Sequence, residues 1–392
     1  MPDYKNISTF GGLNALRFFA AFLVVMHHTE TIKKKNGLLN YESLGLFRDG
    51  GTAVLFFFVL SGFLITYLLL KEHDKRGTVS VKTFYLKRVL RIWPLYYLLF
   101  IIGTLLLPWL FGIFDISYEM PYTIGQVWYY FVFFVPGFTT FFFGNHFLEP
   151  LWSIGVEEVF YLMWAPLFKF GRKNILAILL TIILLKILLM TAGVIFLPTT
   201  SLFNYIMNTF SFEAMAIGGL GAYFIYNRKK PLSELFIYKK PVQLILYAIL
   251  ATYLIFHSNI DNVIWNSVFK TPVILTLALE LLFLYLIIGV SLIDHNLIKF
   301  KSKKLSYLGE ISYGIYMYHM LVIFTVVLLL KPLLAGINPY LGWILFYVAV
   351  TVGVIAVSAL SKKYFENYFL SLKDKLNKSG KQDDAATQLK SS

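Results

Sequence analysis

The sequence predicts an all-α integral membrane protein, on three observations. Of its 392 residues 58% are apolar and only 14% are charged, against about 25% charged in ordinary soluble domains. Apolar stretches of bilayer-crossing length recur along almost the whole chain. Lys and Arg are gathered into a few of the connecting loops. A soluble core does not need this much apolar surface, whereas helices that face lipid do. The 18% of aromatic residues suits lipid contact and anchoring at the membrane interface. The net charge of +14 reads as membrane topology rather than as a nucleic-acid surface. There is no Cys, which excludes a disulfide framework, a thiolate zinc site and a cysteine nucleophile; no metal ligand set is expected.

A crossing helix needs about 20 mostly apolar residues. Candidate stretches run over 12–30, 51–70, 90–110, 124–143, 151–168, 174–197, 204–226, 241–257, 272–292, 307–330 and 339–361. The first contains Arg17 and lacks a small-residue cleavage site, so it reads as a retained helix rather than a cleavable signal. Basic residues then orient the chain. Lys71 to Arg91 is rich in them, as are Lys169–Lys173, Arg228–Lys240, Lys299–Lys304 and Lys362–Lys363. Placing these in the cytoplasm puts the loops near Asp115, Thr199 and Asp261 outside, where Lys and Arg are nearly absent. Lys33, Lys34 and Lys35 run against this pattern. The scheme closes only if one stretch does not cross. The 124–143 stretch has no basic residue at either end and is interrupted by Pro136-Gly137, so it is expected to be re-entrant or interfacial. About ten crossings remain, with both termini cytoplasmic. Residues 1–365 form one membrane domain, and 366–392 form a polar, disordered cytoplasmic tail. The expected location is the cytoplasmic membrane, multi-pass.

Ionisable residues at membrane depth are costly, and each is a candidate for function. Arg17 and His28 share the first helix, three turns and about 16 Å apart, on nearly one face; they either snorkel to opposite interfaces or serve one site. Glu157 and Glu158 sit in Leu151-Trp-Ser-Ile-Gly-Val-Glu-Glu-Val-Phe-Tyr161, at the expected depth of His28. They either bridge helices or orient a histidine and fix its tautomer. Ser61-Gly62 in mid-span either allows close helix approach or supplies a nucleophile that needs its own base. Arg88 and Arg91 share a helix face, as a positive-inside anchor or as a phosphate clamp. His319 either hydrogen-bonds across helices or lines a site. Lys186 and Glu280 are expected to pair.

Five segments in order give a resemblance. They are Arg17 followed after ten residues by His28; Phe57-Phe-Val-Leu-Ser61-Gly62-Phe63; Arg88-x-x-Arg91-Ile-x-Pro94; Trp152-Ser-Ile-Gly-Val-Glu157-Glu158-x-Phe-Tyr161; and Ser312-Tyr-Gly-x-Tyr-x-x-His319. Across residues 10–365 the chain resembles the acyltransferase-3 family of membrane O-acyltransferases, which modify cell-surface sugars. Many members carry an acidic residue close to the second segment. Here Ala53 to Phe58 are all apolar, and Asp49, further out, is the candidate substitute. Some members append an extracellular esterase-like domain; with only a short tail, this single polypeptide would perform the whole transfer.

The resemblance implies that His28 and Arg17 are essential and that Arg88 and Arg91 bind the donor. That donor is cytoplasmic acyl-CoA, used as a co-substrate, with no bound cofactor and no metal because a thioester is already activated. The acceptor is a carbohydrate or lipid-linked glycan, membrane lipids are the surroundings, and nucleic acid is not a partner. His28 would act as general base or carry the acyl group, oriented by Glu157 or Glu158, with Ser61, Trp152 and His319 as possible lining residues. Direct transfer and an acyl-enzyme stay open. The competing readings are a transporter or exporter of glycan subunits, against which stands the lack of internal symmetry between the halves, and a structural partner in a polysaccharide synthase.

Overall fold

The computed structural model describes residues 3–48, 50–116, 118, 120–260, 272–334 and 336–372. Asp49, the loop around Asp261 and the tail beyond residue 372 lie outside the described residues. Within them the chain is helical with no strand. In chain order the helices are α1 Leu13–Lys35, α2 Gly50–Arg76, α3 Val81–Ile101, α4 Leu107–Ile113, α5 Ile124–Val132, α6 Gly137–Phe143, α7 Leu151–Gly171 and α8 Ile175–Phe196. There follow α9 Leu202–Thr209, α10 Phe212–Tyr226, α11 Lys240–Ile260, α12 Pro272–Leu292, α13 Lys303–Glu310, α14 Ser312–Leu334 and α15 Pro339–Ser361. A one-turn helix, Gly45–Arg48, precedes α2, and a π-turn at Ile102–Leu106 joins α3 to α4. A second π-turn, Lys362–Glu366, carries α15 onward, so the chain stays helical to residue 372, beyond the expected start of the tail.

Six helical stretches among the described residues are long and apolar enough to cross a membrane: Gly50–Arg76, Val81–Ile113, Leu151–Phe196, Val273–Leu292, Ser312–Leu334 and Pro339–Leu372. With Leu184, Leu185 and Leu188 of α8 exposed on the outer surface, the chain is a multi-pass membrane protein. Helix α1 has the length but carries Arg17, His27, His28 and Glu30, which keeps it out of the apolar set.

Three expected stretches are not single helices. The 307–330 stretch breaks at Ile311 between α13 and α14. The 124–143 stretch is two short helices of 9 and 7 residues, parted at Phe133–Pro136, where Phe134 adopts a left-handed φ of 58°. The 204–226 stretch breaks at Phe210–Ser211 into α9 and α10. Lys186 of α8 takes up the freed backbone there. Its Nζ donates to the carbonyls of Met207 and of Phe210, the latter at 2.7 Å, and pairs with Glu213 at 3.2 Å. The expected Lys186–Glu280 pair is therefore replaced by Lys186–Glu213. A helix break supplies buried carbonyl acceptors that hydropathy does not reveal. Glu280 is fully buried with no hydrogen-bond partner.

Helices α2 and α10 cross in close backbone contact. A Cβ on Gly62 would stand 1.9 Å from the Met215 carbonyl oxygen, and one on Gly218 would stand 2.0 Å from that of Val59. Only residues without a side chain let these backbones meet. At the other end of α1, two of the three lysines that oppose the charge pattern are neutralised. Lys33 forms a buried ion pair with Glu30 at 3.0 Å, beneath the rings of Trp343 and Tyr347. Lys34 pairs with Glu42 at 2.5 Å.

Candidate active site

Helices α1, α2, α3, α7 and α14 enclose a cavity of about 610 Å³, and the segment Ile7–Phe10 covers one side of it. That segment is held by several bonds. The Tyr67 hydroxyl donates to the Tyr4 carbonyl at 2.9 Å and accepts the Ile7 N–H at 3.0 Å. Lys71 Nζ donates to the Ile7 carbonyl at 2.9 Å.

Three guanidinium groups face the cavity: Arg17 from α1, and Arg88 and Arg91 from α3. Arg88 and Arg91 come together because a spacing of three residues places both on one helix face. Arg17 donates to Asn14 Oδ1 at 3.2 Å. Arg88 lies over the rings of Phe84 and Tyr161, 5.6 and 5.5 Å from their centres, and its buried Nε has no hydrogen-bond acceptor. Among the described residues none of the three is in an ion pair. Lys87 adds a further positive charge to the lining.

Glu157 is the carboxylate on this wall, and it is committed on both oxygens. Ser61 Oγ donates to Oε1 at 2.9 Å and the Tyr161 hydroxyl donates to Oε2 at 2.8 Å. Hydrogen bonds to a charged group contribute about 1.5–3 kcal/mol each, so Glu157 fixes α2 against α7 where the cavity is lined. The close-approach reading of Ser61-Gly62 holds at Gly62, which makes the helix crossing, while Ser61 lines the cavity.

The remaining expected site residues lie elsewhere. Glu158 points about 100° away from Glu157 around α7 and accepts from Trp93 Nε1 at 2.8 Å. Trp152 sits behind Phe58, with ring centres 6.0 Å apart. His28 does not line the cavity. Its ring centre is 5.1 Å from that of His319 and 4.9 Å from that of His27. Neither Glu157 nor Glu158 bonds to it, so the expected orientation of His28 by a carboxylate is corrected: Glu157 is held by Ser61 of α2 and Tyr161 of α7, and Glu158 by Trp93 of α3.

Tyr316 stands between the cavity and the histidines. Its ring lines the cavity. Its hydroxyl shares a 2.7 Å hydrogen bond with Ser153 Oγ and reaches the Pro150 carbonyl at 3.0 Å. Its backbone carbonyl accepts from His319 Nδ1. Tyr316, Tyr161 and Asn14 were missed as site residues in the sequence. Helical spacing could have found them: Tyr161 is four residues after Glu157, Tyr316 three before His319, and Asn14 three before Arg17.

A pocket of this volume is of cofactor size. Guanidinium groups lacking carboxylate partners suit phosphate, which they bind in planar, two-pronged fashion.

A family model described as "Acyltransferase domain" matches residues 10–362. The Listeria monocytogenes (serovar 1/2a, strain EGD-e) protein named "Peptidoglycan O-acetyltransferase OatA" is 26% identical over 402 residues, 95% of this chain and 58% of that protein. A Staphylococcus aureus (strain COL) protein named "Putative O-acetyltransferase" is 32% identical over 165 residues, 41% of this chain and 25% of that protein. The chain thus matches only part of the length of these relatives. No solved structure matches it. The chain belongs to the acyltransferase-domain family, and its apolar helices make it a membrane-embedded member.

Proposed function

We propose that the protein moves an acyl group, acetyl first among the candidates, from cytoplasmic acyl-CoA to a hydroxyl of an extracytoplasmic or lipid-linked glycan, with His28 as general base. It does so in the cytoplasmic membrane, with ten crossings and both termini in the cytoplasm. The observation that carries this reading is the convergence of Arg17, Arg88 and Arg91 on one cavity. CoA carries several phosphates, and such a wall attracts a polyanion. The basic segment from Lys71 to Arg91, the end of α2 and the start of α3, leads to it from the side assigned to the cytoplasm. The names of the relatives favour acetyl as the group, and that of the listerial protein favours an envelope glycan as acceptor.

His28 lies beyond Tyr316, on the side assigned to the exterior, where a sugar hydroxyl would arrive. As base it would take the hydroxyl proton while the oxygen attacks the thioester carbonyl, and then return the proton to the leaving thiolate. Glu157 would hold the wall of the donor cavity rather than touch the histidine.

The test uses purified protein in nanodiscs with radiolabelled acetyl-CoA, comparing wild type, His28→Ala and the double variant Arg88→Ala/Arg91→Ala. Donor binding and slow thioester hydrolysis are measured in each. The expected pattern is binding and hydrolysis in wild type, hydrolysis lost but binding kept in the His28 variant, and binding lost in the double arginine variant. Absence of binding to wild type, with succinyl-CoA tried as well, would remove the acyl-CoA reading.

A further inference from the structure

We propose that His319 is a positioning residue for His28, accepting one of its ring N–H groups so that the other ring nitrogen is left free as the base. The inference rests on the reading of His28 as general base. It starts from a fully buried imidazole whose tautomer the structure fixes. His319 is 0% exposed. Its Nδ1 faces the backbone carbonyl of Tyr316. A carbonyl can only accept, so Nδ1 carries the proton and Nε2 carries the lone pair. That Nε2 is buried without a hydrogen-bond partner. A buried acceptor left unpaired costs free energy, and each such group calls for a reason.

The neighbour able to supply the missing donor is His28, with ring centres 5.1 Å apart and planes inclined by 37°. Each ring nitrogen lies about 1.2 Å from its ring centre, so facing nitrogens at this separation come within about 3 Å, the range of an N–H···N bond. The rings are not aligned for that bond, and rotation of the His28 ring supplies the alignment. Catalytic hydrogen bonds commonly tighten in this way when substrate binds. The alternatives are occupied. His27 Nδ1 donates to the Phe47 carbonyl at 3.0 Å. Glu157 is held by Ser61 and Tyr161, and Glu158 by Trp93.

The consequence is a defined division of labour. His28 donates to His319 Nε2 through one nitrogen and takes the acceptor's hydroxyl proton on the other. As that proton arrives, the hydroxyl oxygen bonds to the thioester carbon. The carbon–sulfur bond then breaks, and His28 returns the proton to the sulfur, giving ester and thiol. His319 ends with the proton it began with. While His28 is charged, its bond to His319 is charge-assisted and shorter, which stabilises the imidazolium. His319 thereby does for His28 what a carboxylate does in other base pairs, without placing a negative charge at membrane depth.

The test is a pair of near-isosteric variants in nanodiscs, with acetyl-CoA hydrolysis as the readout. Gln at position 319 places its amide oxygen where Nε2 stood, whereas Asn reproduces only the Nδ1 side. The expectation is that His319→Asn lowers kcat by about 10²–10⁴-fold, the range of general-base catalysis, with the donor KM unchanged. His319→Gln should keep kcat within about tenfold of wild type. Nitrogen-15 spectra of histidine-labelled protein should show one His28 tautomer in wild type and a mixture in His319→Asn. Equal losses in the two variants, or wild-type kcat in His319→Asn, would overturn the proposal. Should His319→Asn fail to fold, a mixed His28 tautomer in wild type would overturn it alone. Activity retained in His28→Ala is a different result: it removes the base reading itself.

Discussion

Replacing Gly62 with Ala tests whether the α2–α10 crossing positions the cavity wall. The new Cβ would lie 1.9 Å from the Met215 carbonyl oxygen, while real Cβ contacts are essentially never under 3.0 Å. The obstacle is backbone on a second helix, so no rotamer change relieves it. The helices must part by about 1 Å, which puts the cost at or above the upper end of the 1–3 kcal/mol typical of overpacking. Ser61 is the adjacent residue, and its 2.9 Å bond to Glu157 would not survive a shift of that size. Gly62→Ala should therefore lower the thermal midpoint in nanodiscs, followed by tryptophan fluorescence, and weaken acetyl-CoA binding. Gly112→Ala is the control. That glycine has nothing within 4 Å of its added Cβ, and Gly to Ala within a helix is otherwise neutral or favourable. A Gly62→Ala protein matching Gly112→Ala in midpoint and in binding would refute the reasoning.

Three further outcomes follow from single contacts. Ser61→Ala leaves Glu157 Oε1 without its donor and should cost about 1–3 kcal/mol, read from the same thermal midpoint. Arg88→Lys keeps the charge but loses the planar fork; acetyl-CoA affinity measured by calorimetry should fall about 10–100-fold, the loss of one charge-assisted bond of about 1.5–3 kcal/mol. Breaking the buried Glu30–Lys33 pair by Lys33→Met alone should cost about 3–5 kcal/mol, while Lys33→Met with Glu30→Gln should recover much of that; equal midpoints in the single and double variants would show that the pair is not coupled.

Helix identity was legible in the sequence wherever the apolar run is long, because lipid solvation demands it locally. Placement of Arg17, Arg88, Arg91, Ser61 and Glu157 on one cavity was legible only as a list of residue types: spacing puts Arg88 beside Arg91, but nothing local puts α1 beside α3. The break at Phe210–Ser211 was hidden because no Pro or Gly marks it, and what stabilises it, Lys186, comes from another helix. The partner of His28 was assigned to a neighbouring carboxylate by depth alone. Depth does not specify direction around a helix, and Glu157 and Glu158 face Ser61 and Trp93 instead.

The course of α1 beside α14 bears on the number of crossings. Asn14 and Arg17 line the cavity together with Tyr313 and Tyr316. Further along, His28 meets His319, and beyond that the Lys331 ammonium donates to Asn36 at 3.2 Å. Residue numbers rise together along both helices, so α1 and α14 run parallel. Two crossing helices of one chain are parallel only when the number of crossings between them is odd. With 124–143 not crossing, the proposed scheme places seven there, and α14 leaves the cytoplasm as α1 does. Were 124–143 also to cross, there would be eight, and α14 would run against α1. The parallel course therefore agrees with an odd number of crossings between the two helices, with the cavity ends of both on one side of the membrane and the histidines toward the other.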